Sequence, residues 1–284
     1  MNNFNFLIIG LGLLGGSYAE GLTKKGYNVY GIDTNQESVD FALNKGWIKA
    51  GTTVVSKEFI EKQNVVIFCL YPHNMIEWLK DYQAYLTPGT IITDVTGVKK
   101  YIYDELRKFL RNDVEFIGCH PMAGKEVSGI KNSDANIFKN ANYIIIENNN
   151  SLEAIHVAKT IGKELEFKNI SFLGIEEHDE MIGFLSQLTH CIAVSLMTCK
   201  KSTQLVEYTG DSFRDLTRIA KINENMWSEL FLLNKEELLK QMDIFLNQFV
   251  NLKNAIANDN IEQMKEMMRL STKWRSYFDK KESD

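Results

Sequence analysis

A histidine at position 120 stands between a cysteine and a proline in the segment GCHPMAGKEVSG, residues 118–129. An imidazole titrates near neutral pH, so it can accept a proton from an alcohol while a hydride leaves the neighbouring carbon. Pro121 restricts the backbone beside it, and Gly118 and Gly124 permit a ligand to come close. His120 is therefore a candidate general base. A turn histidine bonded to the backbone is the alternative.

A second set of polar residues interrupts an otherwise apolar helical pattern, HDEMIGFLSQLTHCIAVSLM: His178, Asp179, Ser186, Gln187 and His190. Ser186 and His190 are four positions apart, which predicts that they share one face of a helix. Polar groups on a buried helix need partners, and a ligand in a cleft between domains would supply them. Ser186 and His190 are thus candidate binding residues, while ordinary buried hydrogen bonds explain His178 and Asp179 equally well.

Two arginines, Arg214 and Arg218, lie four positions apart in the segment GDSFRDLTRIAKINENMW. A guanidinium binds a carboxylate through two parallel hydrogen bonds, so this segment suits a substrate that carries carboxylates. The alternative is an ion pair within the helix to Asp211 or Asp215, which fits Arg214 better than Arg218.

A glycine motif, GLGLLGG, directly follows the apolar run FLII and precedes a helical pattern. Gly10 permits the tight turn, Gly12 lets the backbone approach a pyrophosphate, and Gly15 allows the helix to pack closely on the strand. The free N–H groups near Leu13 and Leu14 would then hold the phosphates at the start of the helix. The motif predicts a dinucleotide site.

An acidic residue, Asp33, ends the second predicted strand in YGIDTN, about 20 residues after the glycine motif. Its carboxylate can accept hydrogen bonds from an adenosine ribose and would repel a 2′-phosphate. No arginine follows it, so NAD is favoured over NADP. The alternative is that Asp33 only caps the following helix.

Short apolar runs alternate with helical patterns through about residue 172. The predicted strands are FLIIG (6–10), NVYGI (28–32), VVIFCL (65–70), TIITDV (90–95), VEFIG (114–118) and YIIIE (143–147). Such strands indicate a mainly parallel sheet covered on both sides, with ligands bound beyond its carboxyl edge. Leu70 in CLYPH and Thr96 in DVTGVKK reach that edge together with His120.

The pattern changes after Ser171, where long stretches of 3.6-residue periodicity replace the strands. We therefore expect an α/β fold with an N-terminal Rossmann-type dinucleotide-binding domain, residues 1–172, followed by an all-α domain, residues 173–284. The last residues, DKKESD, should be frayed.

The composition is that of a globular protein, with 284 residues, 44% hydrophobic and 24% charged. A formal net charge of -5 disfavours nucleic acid as a partner. The four cysteines have no metal-ligand spacing, so we expect no metal and a reduced, cytoplasmic protein. No apolar run approaches the length of a membrane span, and the apolar start lacks the basic region of a signal peptide and is broken by glycines.

Several of these motifs occur together, in the order and approximate spacing of a known family. The chain resembles the prephenate dehydrogenase family over nearly its whole length. GLGLLGGS, DVTGVK, HPMAGKEVSG, EEHD, SQLTH and FRDLTRIA carry the resemblance. It implies NAD-dependent oxidation and decarboxylation of prephenate to 4-hydroxyphenylpyruvate in tyrosine biosynthesis, without a metal, by a homodimer. A monomer that buries its long apolar helical stripes in its own core is the alternative to the dimer.

The resemblance also implies roles for particular residues. His120 would hydrogen-bond the ring hydroxyl of the substrate and accept its proton. His190 and Arg218 would bind the substrate, Arg218 through a carboxylate. Because the chain ends soon after the helical region, we expect neither a regulatory ACT domain nor a fused chorismate mutase, and hence no tyrosine inhibition through such a domain.

Two positions depart from the family pattern. A serine that helps to orient the substrate hydroxyl is replaced by Gly97, so either Thr96 supplies the hydroxyl or the contact is absent. Lys125 stands where a small hydroxyl residue is usual, which leaves arogenate open as the substrate. A β-hydroxyacid-type dehydrogenase and a nucleotide-sensing module without catalysis are the rival interpretations.

Overall fold

The computed structural model describes residues 4–201 and 203–279, so the segment expected to be frayed lies outside them except for Asp279. The strands are β1 Asn5–Ile9, β2 Asn28–Ile32, β3 Ala50–Thr52, β4 Val65–Phe68, β5 Ile91–Asp94, β6 Glu115–Ile117, β7 Cys119–Pro121, β8 Asn142–Ile146 and β9 Asn169–Leu173.

Helices separate most of these strands, although β6 and β7 are one residue apart, and helices predominate in the described residues after β9. The helices are α1 Leu13–Lys24, α2 Gln36–Asn44, α3 Lys57–Ile60, α4 Pro72–Tyr82, α5 Lys100–Leu106, α6 Leu152–Glu164, α7 Ile175–Ile182, α8 Thr189–Thr198, α9 Leu205–Tyr208, α10 Asp211–Thr217, α11 Glu224–Leu233, α12 Lys235–Ala257 and α13 Ile261–Asp279. The chain divides after Asn234 into two compact units.

Six strands form one parallel sheet in the order β3-β2-β1-β4-β5-β6. All four residues of β4 are buried, since helices cover both faces of the sheet. The strand order reverses between β1 and β4, and a crevice forms at that point beyond the carboxyl ends of the strands. The predicted α/β fold with a dinucleotide-binding topology is confirmed.

A second, three-stranded sheet has the order β7-β8-β9, with β7 antiparallel and β9 parallel to β8. The sequence pattern did not separate β8 from the parallel sheet, and it did not reveal β7 or β9. His120 therefore lies within a strand rather than directly after one. Pro121 also belongs to β7, which is an edge strand, where a missing N–H costs no ladder hydrogen bond.

The region that follows Gly174 is helical in its described part, as predicted. It begins with one continuous run in which α7 passes through a π-helical turn, Gly183–Leu188, into α8. The buried pairs along it are residues 178 and 179, 182 and 183, and 187 and 188. The step from one pair to the next is first four and then five residues, so the π turn holds one residue more than an α turn.

Within the described residues, one helical run, Ile175–Thr198, is long and apolar enough to cross a membrane by length and composition. The expectation that no apolar run approaches this length was therefore wrong for this segment, where only one glycine interrupts the pattern. The criterion also admits core helices of water-soluble proteins. His178 and Asp179 are buried within this run and hydrogen-bonded to the protein, which is the pattern of a core helix.

Candidate active site

The glycine motif forms the turn between β1 and α1. Gly10 has a φ of 93°, and a Cβ there would lie 2.7 Å from the carbonyl oxygen of Cys69 and 2.8 Å from a methyl group of Leu70. A Cβ on Gly15 would lie 1.9 Å from the carbonyl oxygen of Gly10. Both glycines are required by protein packing alone. Leu70 lies over the turn, at the end of β4.

Gly12 differs from these two glycines, because a Cβ on it would have no protein atom within 4 Å. It is the N-cap of α1, whose first turn, beginning at Leu13 and Leu14, contains no acidic side chain. The N–H groups of a first helical turn have no intrahelical acceptor and attract anions. Open space and free donors together fit the pyrophosphate of a dinucleotide at this turn.

Asp33 lies beside the same turn. Its Oδ2 accepts a hydrogen bond of 2.6 Å from the N–H of Leu11, and its Oδ1 accepts one of 2.7 Å from the N–H of Asn35. The N-cap of α2 is Asn35, whose side chain accepts a hydrogen bond from the N–H of Glu37. Asp33 is thus not the helix cap, and its half-buried carboxylate supports the backbone of the glycine turn.

His120 is held in a row of three side chains. Its Nδ1 lies 2.9 Å from Nε2 of His178, and Nδ1 of His178 lies 2.6 Å from Oδ1 of Asp179. Burial, the neighbouring His178 and the positive charge of Lys99 hold the pKa of the His120 imidazole well below its usual range. The ring is therefore uncharged at neutral pH, as a proton acceptor must be.

A buried ion pair supports the strand that carries His120. Nζ of Lys99 lies 2.6 Å from Oδ2 of Asp94 and donates a 2.7 Å hydrogen bond to the carbonyl oxygen of Cys119. Oδ1 of Asp94 accepts a 3.0 Å hydrogen bond from the N–H of Cys119. Both backbone groups of the residue before His120 are therefore fixed by buried side chains, and this position is rigid.

Thr96 belongs to this buried network. It is 4% exposed, and its hydroxyl lies within hydrogen-bond distance of Oδ2 of Asp94 and 2.9 Å from the carbonyl oxygen of Val98. The single hydroxyl proton is thus shared between acceptors within the protein. Thr96 directly precedes Gly97, the position of the missing serine, and contacts Asp94.

His190 lies farther along the helical run. Its Nδ1 is 2.8 Å from the carbonyl oxygen of Ser186, so Nδ1 carries the proton and Nε2 is free to accept a hydrogen bond. Its ring stacks on Trp227, with ring centroids 3.7 Å apart. Burial and the charge of Arg218 lower the pKa of His190, while the Ser186 carbonyl and Glu126 oppose that change.

Arg218 forms an ion pair with Glu126, which lies in the loop that follows His120. The Arg218 side chain is 66% exposed, so the guanidinium is accessible from solvent. Arg214 pairs instead with Asp211 at 3.4 Å, as the alternative interpretation predicted. The two arginines do not share one helix, because α10 ends at Thr217 before Arg218.

The structure brings the predicted residues into two groups, one around His120 and one around His190 with Arg218. Sequence reasoning missed four further residues that contact them: Asp94, Lys99, Glu126 and Trp227. Asp94 and Lys99 were visible in the motif DVTGVKK, whose position at the sheet edge was recognised. Nothing in the sequence marked Trp227 as the partner of His190. Among the described residues, no cluster of His, Cys, Asp and Glu is arranged to hold a metal.

Comparison with known proteins now decides the family. The prephenate dehydrogenase nucleotide-binding domain matches residues 18–170, and the prephenate dehydrogenase dimerization domain matches residues 175–270. The chain belongs to the prephenate dehydrogenase family. The two matches of this family follow each other along the chain as the α/β and helical regions do, and the glycine turn lies just before the first match.

Prephenate dehydrogenases of two bacteria are similar to the chain in sequence. The enzyme of Lactococcus lactis is 33% identical over 84% of this chain and 67% of its own length. The enzyme of Bacillus subtilis is 27% identical over 91% of this chain and 71% of its own length.

A solved prephenate dehydrogenase is similar in structure. It comes from A. aeolicus, was crystallised with hydroxyphenyl propionate and NAD+, and superposes with a TM-score of 0.88 at 28% identity. The superposition covers 98% of this chain and 99% of that one, so the family fold extends through both regions.

Proposed function

We propose that this member of the family is an NAD+-dependent prephenate dehydrogenase, which oxidises and decarboxylates prephenate to 4-hydroxyphenylpyruvate. The observation that carries the proposal is the uncharged imidazole of His120, held by His178 at the carboxyl edge of a dinucleotide-binding sheet. A base at this point can serve a substrate hydroxyl beside a hydride acceptor.

The residues that would hold NAD+ are those of the glycine turn. The first-turn N–H groups at Leu13 and Leu14 would bind the pyrophosphate above Gly12, and Asp33 would accept hydrogen bonds from the adenosine ribose. The Asp33 carboxylate would repel a 2′-phosphate, which favours NAD+ over NADP+. When bound, NAD+ supplies the hydride acceptor.

His120 would accept the proton of the ring hydroxyl at Nε2 while the C–H bond of that carbon gives up its hydride. The bond to the ring carboxylate then breaks, carbon dioxide leaves, and its electron pair completes the aromatic ring. The oxygen enters as an alcohol and leaves as a phenol, so His120 returns the proton it has accepted. The reaction therefore needs no net proton release, and charge balances when NADH is formed.

The other end of the substrate carries carboxylates, and Arg218, His190 and Ser186 are the proposed binding residues. Arg218 is the cation of this group, and its present partner is a carboxylate of the protein, Glu126. A substrate carboxylate can replace Glu126 on the guanidinium, and the Glu126 carboxylate, which is 40% exposed, can then be hydrated by solvent. Nε2 of His190 is free to bond to the substrate, and Ser186 fixes the tautomer through its carbonyl oxygen.

Thr96 was predicted as a residue that touches the substrate hydroxyl. Its hydrogen bonds to Asp94 favour a different contribution, since Asp94 fixes the backbone just before His120. We therefore assign Thr96 to the support of that strand.

A homodimer is the proposed assembly, because the helical region matches a dimerization domain. Helices α12 and α13 support it with large apolar side chains that are half exposed or more, including Ile244, Phe249, Leu270 and Trp274. Light scattering in solution would test the mass. We further propose a cytoplasmic location with no membrane or nucleic-acid partner, on the grounds of composition and family.

The direct test is NADH formation with prephenate by the wild type and by His120→Asn. We expect the variant to lose on the order of 10²-fold or more in kcat, as for other positioned bases. His156→Asn, on the exposed side of α6, is the matched control and should keep wild-type activity. Equal rates for wild type and His120→Asn would refute the proton-acceptor role. A wild type inert with prephenate but active with arogenate would reassign the substrate.

A further inference from the structure

The side chains behind His120 form a chain of hydrogen bonds that reaches from the sheet edge into the helical region. His178 is fully buried, and Asp179 is 2% exposed. Neither residue lies at the surface of the cleft, so neither can touch the substrate directly. From this geometry, and resting on the proposed function, we infer that His178 and Asp179 are positioning residues that fix the tautomer of His120 with Nε2 unprotonated.

Asp179 determines which atom donates in each hydrogen bond of this series. Its Oδ1 accepts a 2.9 Å hydrogen bond from the N–H of Lys99, and its Oδ2 accepts one of 2.9 Å from the N–H of Lys100. Main-chain N–H groups can only donate, so both oxygens of this carboxylate are fixed as acceptors. The group 2.6 Å from Oδ1, Nδ1 of His178, must therefore carry a proton and donate it.

The rest of the chain follows from the chemistry of a neutral imidazole, which has one donor and one acceptor nitrogen. Burial lowers the pKa of His178 despite its bond to Asp179, so the ring is neutral and its Nε2 is an acceptor. Nδ1 of His120, 2.9 Å away, must then donate. Nε2 of His120 is left with its lone pair, in the state needed to take a proton from a substrate hydroxyl.

The opposite tautomers, in which each imidazole carries its proton on Nε2, are unfavourable. A proton on Nε2 of His178 would leave the lone pair of Nδ1 facing the Asp179 carboxylate at 2.6 Å, where two acceptors repel. Both residues are buried, so bulk solvent does not reach this contact to relieve the repulsion. The Asp179 carboxylate, acting through His178, thus determines which ring nitrogen of His120 is unprotonated and therefore basic.

The same arrangement stabilises the charge that His120 gains during the reaction. Once protonated at Nε2, the imidazolium still donates from Nδ1 to His178, which is bonded to the negative charge of Asp179. Because the proton is returned to the phenol oxygen, the chain has to hold the charge only briefly and needs no exit to solvent. A charge that needs no exit to solvent is compatible with the burial of His178 and Asp179.

The rival explanation is purely structural, since Asp179 also fixes the start of α5. A control variant should therefore disturb the buried surroundings of Asp179 without changing which ring nitrogens of His120 and His178 carry protons. Asn234 provides one, because its Nδ2 donates 2.9 Å to the carbonyl oxygen of Asp179 and 2.8 Å to Oε1 of Gln187. Asn234→Ser removes these bonds and leaves the row of three side chains intact.

The first test needs neither substrate nor variant activity. In ¹⁵N spectra of histidine-labelled protein, protonated and unprotonated ring nitrogens are resolved, and the chain has only five histidines. We expect Nδ1 of His120 to be protonated and Nε2 unprotonated above neutral pH, with signals assigned by loss in His120→Asn. The reverse pattern would overturn the inference. This result is independent of the proposed function, because it holds whether or not prephenate is turned over.

The second test compares Asp179→Asn and His178→Gln with Asn234→Ser. We expect kcat to fall on the order of 10²-fold in the first two, with KM for prephenate changed less than about threefold. The acid limb of the kcat/KM profile should move to lower pH in Asp179→Asn, because a negative charge that favours the imidazolium is gone. If all three variants lose activity only in proportion to their loss of Tm, with an unmoved acid limb, the role is structural and the inference fails.

Discussion

A Cβ atom at position 97 would lie 3.8 Å from Cε1 of His120 and 3.7 Å from the methyl groups of Leu230. These are ordinary van der Waals distances, so Gly97 leaves room for a side chain next to the proton acceptor. The serine that the family resemblance led us to expect in this motif is therefore absent without a steric reason.

Gly97→Ser should restore a hydroxyl beside His120 without disturbing the fold. A net hydrogen bond to the substrate oxygen contributes about 0.5–1.5 kcal/mol, which corresponds to a rise of roughly two- to tenfold in kcat/KM for prephenate. Steady-state kinetics would measure it. Gly97→Ala is the matched control, since it adds the same Cβ without the oxygen, and equal behaviour of the two variants would rule out a hydroxyl contact.

Two glycines of the first turn should respond differently to alanine. Gly12→Ala meets no protein atom, so Tm should stay within about 2 °C of the wild type while NAD+ binding weakens at least about tenfold. Gly15→Ala places a methyl 1.9 Å from the carbonyl oxygen of Gly10 and should lower Tm sharply. Thermal melts and NAD+ titrations would separate them. Unchanged NAD+ affinity in Gly12→Ala would contradict the position of the pyrophosphate.

Removal of Arg218 should affect the substrate and spare the cofactor. A charge-assisted hydrogen bond contributes about 1.5–3 kcal/mol, so Arg218→Ala should raise KM for prephenate by roughly 10- to 100-fold and leave the Kd of NAD+ unchanged. Glu126→Gln frees the guanidinium and should lower KM instead. An unchanged KM in Arg218→Ala would remove the arginine from the substrate site.

Acid should weaken the fold below about pH 6.5, the usual pKa of an unfolded histidine. Burial lowers the folded-state pKa of His120, His178 and His190. Below that pH the unfolded chain binds more protons than the folded one, so the free energy of unfolding falls as pH falls; above it the three rings are neutral in both states and contribute nothing. Urea unfolding between about pH 7.5 and about pH 5.5 would measure the slope. A free energy of unfolding that is constant or rises toward acid pH would contradict this prediction.

The strands that the sequence predicted centre on short apolar runs, such as FLII in β1, VVIF in β4 and III in β8. Those it missed are short or mixed: β3 is the tripeptide AGT, β7 contains Pro121, and β9 is the half-polar NISFL. Pairing with neighbours, rather than local preference, makes such segments strands. The apparent change of character after Ser171 therefore fell inside β9.

The site residues also fall into two groups, those that the local sequence indicates and those that only the folded structure identifies. The residue types of His120 and Arg218 indicate a proton acceptor and a cation that binds carboxylates. His178 and Asp179 could be interpreted only as polar groups that need hydrogen-bond partners. Their partners lie 58 and 80 positions away along the chain, in His120 and Lys99, and only folding reveals them.

The π-helical turn Gly183–Leu188 determines which side of its helix His190 occupies. His178 and His190 are twelve positions apart, and on a regular α-helix, which turns by about 100° per residue, they would point about 120° apart. The extra residue in the wider turn reduces that angle to about 20°. The wider turn therefore absorbs one residue, so that the two histidines lie along a single face although they are twelve positions apart. Deleting one residue from this turn would return it to a regular α turn and leave the alignment unchanged, whereas regularising the turn without a deletion would rotate His190 by about 100° away from His178.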